Sequence, residues 1–375
     1  MKHILSSILL MASMITFYSC DKELGLDTQY DNSESSIIPD SSDNYNPNKV
    51  GEWDQFSLSK IYIVNQGDAD MKGYWPDGKL SVVKDETSGK YICFWGEKYS
   101  YRTEADTPYP EDHISQVIVA NRVFGQGIND IDGFNDGGSW FIGVHKLTDG
   151  RLAGFFHAES HWPGDGIAYK SVGVAYSSDN GKTWTSGEKI LNVDYPKPTT
   201  PTWSGLGDGC VVYNEKLGKF ICYYSAHIQD EDFKICMAAS DAIDGASGSW
   251  RKWDGNDFTI SGFDANTGLG GVDHKIEGLS SISGANPSVM WNSYLKRWVI
   301  VYASWGRAIY MSTSEDGLNW EIPIKITEKD EIATYPNLIS SKGDLEGNYV
   351  IRLYYGSNQN DLGVRDFAYR IITYN

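Results

Sequence analysis

Short runs of Val, Ile, Phe and Tyr, closed by Gly, Asn or Asp, recur along the chain, and no stretch sustains the apolar period of an amphipathic helix. The chain therefore reads as all-β. Two segments carry one pattern in register, Gly209 to Ala226 and Pro287 to Ser304. In each, an apolar strand ends in Asn (Asn214, Asn292), four residues turn the chain, and a second apolar strand follows from Lys219 or Arg297. Looser copies run from Leu80 to Trp95, Trp140 to Phe156 and Asn337 to Tyr355. These five hairpins predict five repeats of one sheet, and the strand from Phe367 to Tyr374 is expected to pair with Lys60 to Val64 and remove the open edges.

Between the hairpins lies a second pattern. Ser177 to Trp184 reads Ser-Ser-Asp-Asn-Gly-Lys-Thr-Trp, in which Asp179 caps its own turn, Gly181 takes a positive φ and Trp184 closes the strand onto the core. Thr313 to Trp320 keeps the Gly and Trp and places Glu315 where Asp179 stands, and Ser240 to Trp250 is a third, looser form. This motif resembles the Asp box (BNR repeat) of sialidases and other β-propeller proteins. Together with the hairpins, the chain beyond its first fifty residues resembles the five-bladed glycosidases that include family 43 glycoside hydrolases. The resemblance implies a five-bladed β-propeller that acts on oligo- or polysaccharides.

In a four-stranded up-down blade, the start of strand one and the end of strand two share a face, and the Asp-box turns lie opposite. The shared face gathers Asp77, Asp136, Trp140, Trp203, Asp208, Asn286 and Tyr335 from strand starts, and Glu97, His157, Glu159, His161, Trp162, His227, Trp305 and Arg307 from strand ends. Glycoside hydrolysis needs two carboxyl groups, one protonated and one ionised. The resemblance implies Asp77 as base and Asp136 as the group that tunes a neighbour, with Asp208 opening a third blade. Glu159, between His157 and His161 and next to Trp162, is the expected acid, because a crowded apolar site raises a carboxyl pKa. Trp162, Trp203 and Trp305 are the expected sugar platforms, whereas Trp184, Trp250 and Trp320 belong to turns.

Other chemistries fit less well. A sialidase needs three arginines on a carboxylate, and Arg307 is accompanied only by Arg102, Arg122 and Arg365 in loops. A polysaccharide lyase could draw on His157, His161, His227 and Tyr335. A non-catalytic surface glycan-binding protein would use the same aromatics with no working carboxylate pair. No phosphate-binding loop or nucleophile elbow is present, and Gly268 to Gly271 is an isolated loop element. No cofactor is required, although Ca²⁺ in an axial channel is compatible with the carboxylates.

The first twenty residues read as a lipoprotein signal: Lys2 and His3, an apolar run from Ile4 to Phe17, then Ser19 and the acceptor thiol of Cys20. Residues 21–52, rich in Asp, Ser and Asn, are expected to form a flexible tether ahead of a propeller domain at 53–375. This organisation predicts an exported bacterial outer-membrane lipoprotein. The formal charge of −18, or −19 without Lys2, opposes partnership with nucleic acid or anionic polymers. Cys93, Cys210, Cys222 and Cys236 lie in apolar runs without metal-type spacing, so buried thiols are expected, with a Cys210–Cys222 bridge as the alternative.

Overall fold

The computed structural model describes residues 51–65, 77–97, 99–164, 166–227, 233–304, 308–327, 332–358 and 365–375, with backbone alone at Glu97 and Asn358. The expected signal, with Cys20, and nearly all of the expected tether lie outside these residues, as do Trp305 and Arg307. Among the described residues the chain is all-β and contains no α-helix.

Two short strands, β1 (Phe56–Leu58) and β2 (Tyr62–Asn65), come first. Five antiparallel up-down units follow. The first is β3 (Ser81–Lys84), β4 (Tyr91–Glu97), β5 (Tyr99–Ala105) and β6 (Arg122–Gly125). The second is β7 (Gly138–Lys146), β8 (Leu152–His161), β9 (Ala168–Ser177) and β10 (Glu188–Leu191). The third is β11 (Ser204–Asn214), β12 (Lys219–His227), β13 (Phe233–Ser240) and β14 (Trp250–Trp253), extended by β15 (Phe258–Ser261). The fourth is β16 (Ala285–Asn292), β17 (Arg297–Ser304), β18 (Ala308–Ser314) and β19 (Ile324–Lys325). The fifth is β20 (Ile332–Ile339), β22 (Val350–Asn358) and β23 (Asp366–Tyr374), with β21 (Glu346–Gly347) paired instead with β16. Here β1 and β2 supply the fourth position by pairing with β23, Tyr62 opposite Tyr369, so the C-terminal strand meets an early strand as expected.

Apolar side chains on both faces of these sheets pack in five clusters, one per pair of neighbours. Phe94, Phe124, Phe141, Phe156 and Trp184 join the first and second sheets, and Leu80, Val82 and Trp95 meet Ile339, Tyr354 and Phe367 to join the first to the fifth. The remaining three clusters join second to third, third to fourth and fourth to fifth. The sequence of sheets thus returns to its beginning. The buried aromatics also need glycine opposite them: a Cβ on Gly154 would stand 2.4 Å from the Phe141 ring. Unexpectedly, the second and third units share one sheet, because β11 pairs in parallel with β9 at Ser204–Tyr169 and Gly205–Lys170.

The turns correct one expectation. In the Ser177 turn, Asp179 accepts from Lys182 N (3.0 Å), Thr183 N (2.9 Å) and Thr183 Oγ1 (2.6 Å), and Trp184 Nε1 donates to Gly181 O. Burial opposes ionisation of Asp179, but these donors outweigh it and hold the carboxyl at about 2. In the Ser314 turn the same work falls to Asp316, which accepts from Leu318 N (2.8 Å), Asn319 N (2.9 Å) and Asn319 Nδ2 (2.8 Å). Glu315 instead points to Arg297. The later turn is one residue shorter between its Asp and its Gly, so aligning Gly and Trp misassigned the carboxylate. The shortening leaves Trp320 Nε1 without a partner, and Gly317 O accepts from Tyr223 OH instead. Asp316→Ala is therefore expected to destabilise by about 1–2 kcal/mol and Glu315→Ala by well under half of that, read as denaturant midpoints. Equal effects would return the cap to Glu315.

The cysteines are the buried thiols expected, and the alternative bridge is excluded. Cys210 faces the third–fourth cluster, with Val289 N donating to its Sγ, whereas Cys222 faces the second–third cluster on the other side of the sheet. All four described cysteines are free and buried. A Cys210–Cys222 bridge cannot form across opposite faces of one hairpin.

Candidate functional site

The first strands of four sheets are interrupted near their starts by an irregularity in pairing with strand two. It falls between Phe141 and Gly143, Gly207 and Cys210, Ala285 and Ser288, and Thr334 and Asn337. Within the last three, Asp208, Asn286 and Tyr335 hold φ of 47°, 54° and 50°. Such left-handed non-glycine backbone costs of order 1–3 kcal/mol per residue and persists only where surroundings enforce it. Ser225 is one enforcer, donating through Oγ to Asp208 O and accepting from Asn286 N, both at 3.0 Å. These three residues, with Gly78, Trp140 and His157, line a small cavity where the five first strands meet.

Asp77 immediately precedes Gly78 of the cavity lining and bonds to Trp140, another lining residue. Its Oδ1 lies 3.1 Å from Arg365 Nη2 and its Oδ2 accepts from Trp140 Nε1 at 3.2 Å. Burial pushes its carboxyl up to about 6 against the pull of Arg365, with help from the charges on Glu159 and Asp208. Trp140 packs flat on glycine, since a Cβ on Gly96 would stand 2.7 Å from its ring.

Glu159 behaves contrary to expectation. Its Oε1 accepts from His157 Nε2 at 3.2 Å and its Oε2 from His161 Nε2 at 2.8 Å, with Lys170 Nζ 4.0 Å away. Burial favours the neutral acid, but the two imidazoles and Lys170 outweigh it and hold the carboxyl far below the ordinary range. The crowded surroundings are polar, so Glu159 is an ionised anchor with no proton to donate at neutral pH. His157 Nδ1 accepts from Asp208 N at 2.9 Å, which fixes the proton on Nε2 and aims it at Glu159. A Cβ on Gly207 would fall 1.9 Å from that Nδ1, so glycine is needed for His157 to reach the neighbouring sheet.

Asp208 lines the cavity, and its Oδ2 lies 2.9 Å from Lys170 Nζ. Burial works against its charge, yet Lys170 keeps the carboxyl below its usual range. Lys170 pairs with Asp208, sits near Glu159 and lies 5.0 Å from the ring centroid of Trp203, which is 49 % exposed.

Other expected residues are placed differently. Asp136 sits in the turn before β7, where its Oδ2 accepts from Gly133 N and its Oδ1 is buried without a partner. His227, exposed at the end of β12, packs its ring on Phe233. Trp162 donates to Pro198 O and lies under Lys197, whose Nζ also reaches Ser160 Oγ and His161 O. Arg102 donates to Asn180 O and Arg122 stacks on Tyr99, so among the described residues no arginine triad forms with Arg365. Nor does any described group of three or more His, Cys, Asp or Glu have the geometry to hold a metal ion.

Lys170 and Arg365 carry much of the site's electrostatics and had no distinguishing signal, since Lys170 is one cation in a strand-like run and Arg365 one of several arginines read in loops. The strained positions did have one: Asn286-Pro287 and Tyr335-Pro336 repeat an X-Pro step at equivalent places.

No family model and no curated protein sequence matches the chain. Similar solved structures include a protein of unknown function from Dyadobacter fermentans DSM 18053, 11% identical, covering 86% of this chain and 100% of that one with a TM-score of 0.50. A thermostable family-43 glycoside hydrolase is 11% identical over 80% of this chain and 88% of its own, at a TM-score of 0.46. An endo-arabinase from Bacteroides thetaiotaomicron is 14% identical over 79% and 93%, also at 0.46. The first of these shows a shared fold, and identities this low show nothing further.

Proposed function

We propose that the chain is a five-bladed β-propeller glycoside hydrolase, exported as an outer-membrane lipoprotein through Cys20 and acting on oligo- or polysaccharides. The observation that carries the reading is a pair of buried carboxyls in unlike surroundings: Asp77 beside Trp140 and Arg365, where burial favours its neutral form, and Asp208 at the cavity wall 2.9 Å from Lys170, which favours its charge. Opposed pKa values are what an acid and its ionised partner require. Asp77 donates a proton to the leaving glycosidic oxygen. Asp208, ionised beside Lys170 and facing the cavity, activates water or attacks the anomeric carbon. Glu159 is a positioning residue: its two imidazole partners and Lys170 favour its charged form, and through His157 it holds the Asp208 backbone in place. Trp203 offers a stacking face at the rim.

The test is release of reducing ends from aryl glycosides and from plant and host polysaccharides by purified protein. Turnover lost in Asp208→Asn with an unchanged melting temperature supports the reading. Retention of glycans without release by the wild type would make the chain a binding protein instead.

A further inference from the structure

The parallel join between β9 and β11 is built for close approach. β10 leaves the edge of β9 at Val172, and Ser204 and Gly205 take up that edge opposite Tyr169 and Lys170. Gly205 holds a φ of 91°, and a Cβ there would stand 2.1 Å from Lys170 O and 2.6 Å from Lys170 N, so only glycine lets the two backbones meet. Tyr195 closes the contact: its hydroxyl accepts from Gly205 N at 3.1 Å, and its carbonyl accepts from Tyr169 OH at 2.8 Å.

What the join delivers is the Lys170 side chain. Its Nζ lies 2.9 Å from Asp208 Oδ2, with only 14 % and 19 % of the two side chains exposed, and 4.0 Å from Glu159 Oε1. Asp208 belongs to the same strand as Gly205, so the strand pairing and the ion pair close one short circuit of contacts. The Asp208 backbone is fixed independently, since its N donates to His157 Nδ1 and its O accepts from Ser225 Oγ. β8 and β12 therefore set the left-handed backbone, and β9 holds the carboxyl. Neither Gly205, Tyr195 nor Lys170 lines the cavity that Asp208 lines.

We infer that the β9–β11 join is a positioning device for Asp208, in which Gly205 and Tyr195 act from outside the cavity by holding the Lys170 ammonium against that carboxyl. This deepens the proposed hydrolysis, in which Asp208 is the ionised group, and rests on that reading only for its effect on turnover. Withdrawing the cation leaves a buried carboxylate with no opposite charge beside it, and such a group takes up a proton. A residue remote from the cavity thereby governs how Asp208 titrates.

The experiment titrates the full chain, isotope-labelled at its aspartate carboxyls, by NMR, with the Asp208 signal assigned from Asp208→Asn. In wild type the Asp208 midpoint is expected to lie below the ordinary aspartate range. Lys170→Met and Gly205→Ala are each expected to raise it by about one pH unit or more, and Lys170→Arg, which keeps the charge, to hold it low. Asp316→Ala, in the Ser314 turn, is expected to lower the melting temperature and leave the Asp208 midpoint unmoved, so that lost stability alone does not imitate the effect. Should Gly205→Ala fail to fold, Tyr195→Phe frees Gly205 N without added bulk and is read in its place, with a rise of about half a unit or more expected. An unmoved midpoint in Lys170→Met or in the join variant, a wild-type midpoint at or above the ordinary range, or an equal rise in Asp316→Ala overturns the inference. Cleavage of aryl glycosides is followed separately, and there the rising limb of kcat/KM should move to higher pH in Lys170→Met. A shifted carboxyl without turnover removes the hydrolase reading and leaves this one standing, and turnover with an unmoved carboxyl does the reverse.

Discussion

Asp77→Asn is expected to slow cleavage of an unactivated glycoside by about 10²- to 10⁴-fold while preserving the melting transition. The sign of the pH dependence follows from the carboxyl being raised from 3.8 to about 6. Below pH 6 Asp77 carries the proton that the leaving oxygen needs, and above it that proton is gone. Wild-type kcat/KM should therefore fall as pH rises through about 6, and this descending limb should be missing from the variant. A dinitrophenyl glycoside, whose leaving group needs no proton, separates acid from base. If Asp77 is the acid, the variant cleaves that substrate nearly as fast as wild type does. A rise in wild-type activity through pH 6, with the dinitrophenyl substrate equally impaired, would make Asp77 the base and Asp208 or Glu159 the group to reconsider.

That assignment inverts the roles read from the sequence, and the reason is local. Both Asp77 and Glu159 were found by position, at a strand start and a strand end, and β7–β8 pairing does bring Glu159 opposite Gly138 at the cavity end of the sheet. Their protonation could not be found that way. Histidines two residues either side of Glu159 share its face of β8, because side chains alternate along a strand. Whether they crowd it apolarly or donate to it depends on where their nitrogens point. His157 is oriented by a backbone N–H fifty-one residues further on, at Asp208, and that contact has no trace in the local sequence. Likewise Lys170 reads as an ordinary outward residue of an alternating strand until β11 pairs in parallel with β9 and turns that end of the strand inward.

The hairpins were legible because their information is local. Strands ending at Asn214 and Asn292 and restarting at Lys219 and Arg297 occupy those bounds in the structure. Asn292 shows why Asn recurs there: its Oδ1 accepts from Tyr294 N and Leu295 N, both at 2.9 Å, closing the turn with one side chain. The Ser314 turn was half legible for the same reason. Its donors are near neighbours, but a deletion of one residue moves the carboxylate while the Gly and Trp keep their spacing in the sequence.

The contact that joins the first sheet to the last is where a single substitution is expected to cost most. Lys79 Nζ lies 2.8 Å from Asp344 Oδ2, and each side chain is only 2 % exposed. Lys79 also donates to Leu80 O, while Asp344 Oδ1 accepts from Val82 N at 2.9 Å and Asn337 Oδ1 from Leu80 N at 2.7 Å. The pair therefore stitches the lead-in to β3 onto the β20–β22 hairpin, beside the Leu80–Ile339–Tyr354 cluster. Asp344→Ala strands a buried ammonium and a backbone N–H, for which a loss of about 3–5 kcal/mol is the general magnitude. Differential scanning calorimetry should show the melting temperature falling by roughly 5–15 °C. The pair itself contributes much less than its rupture costs, since two matched charges give up their hydration to form it. Lys79→Met with Asp344→Leu is accordingly expected to recover most of the loss, giving a coupling energy of several kcal/mol in a double-mutant cycle. A single variant within about 1 kcal/mol of wild type would mean that the seam is held by the apolar cluster and that the ion pair only occupies it.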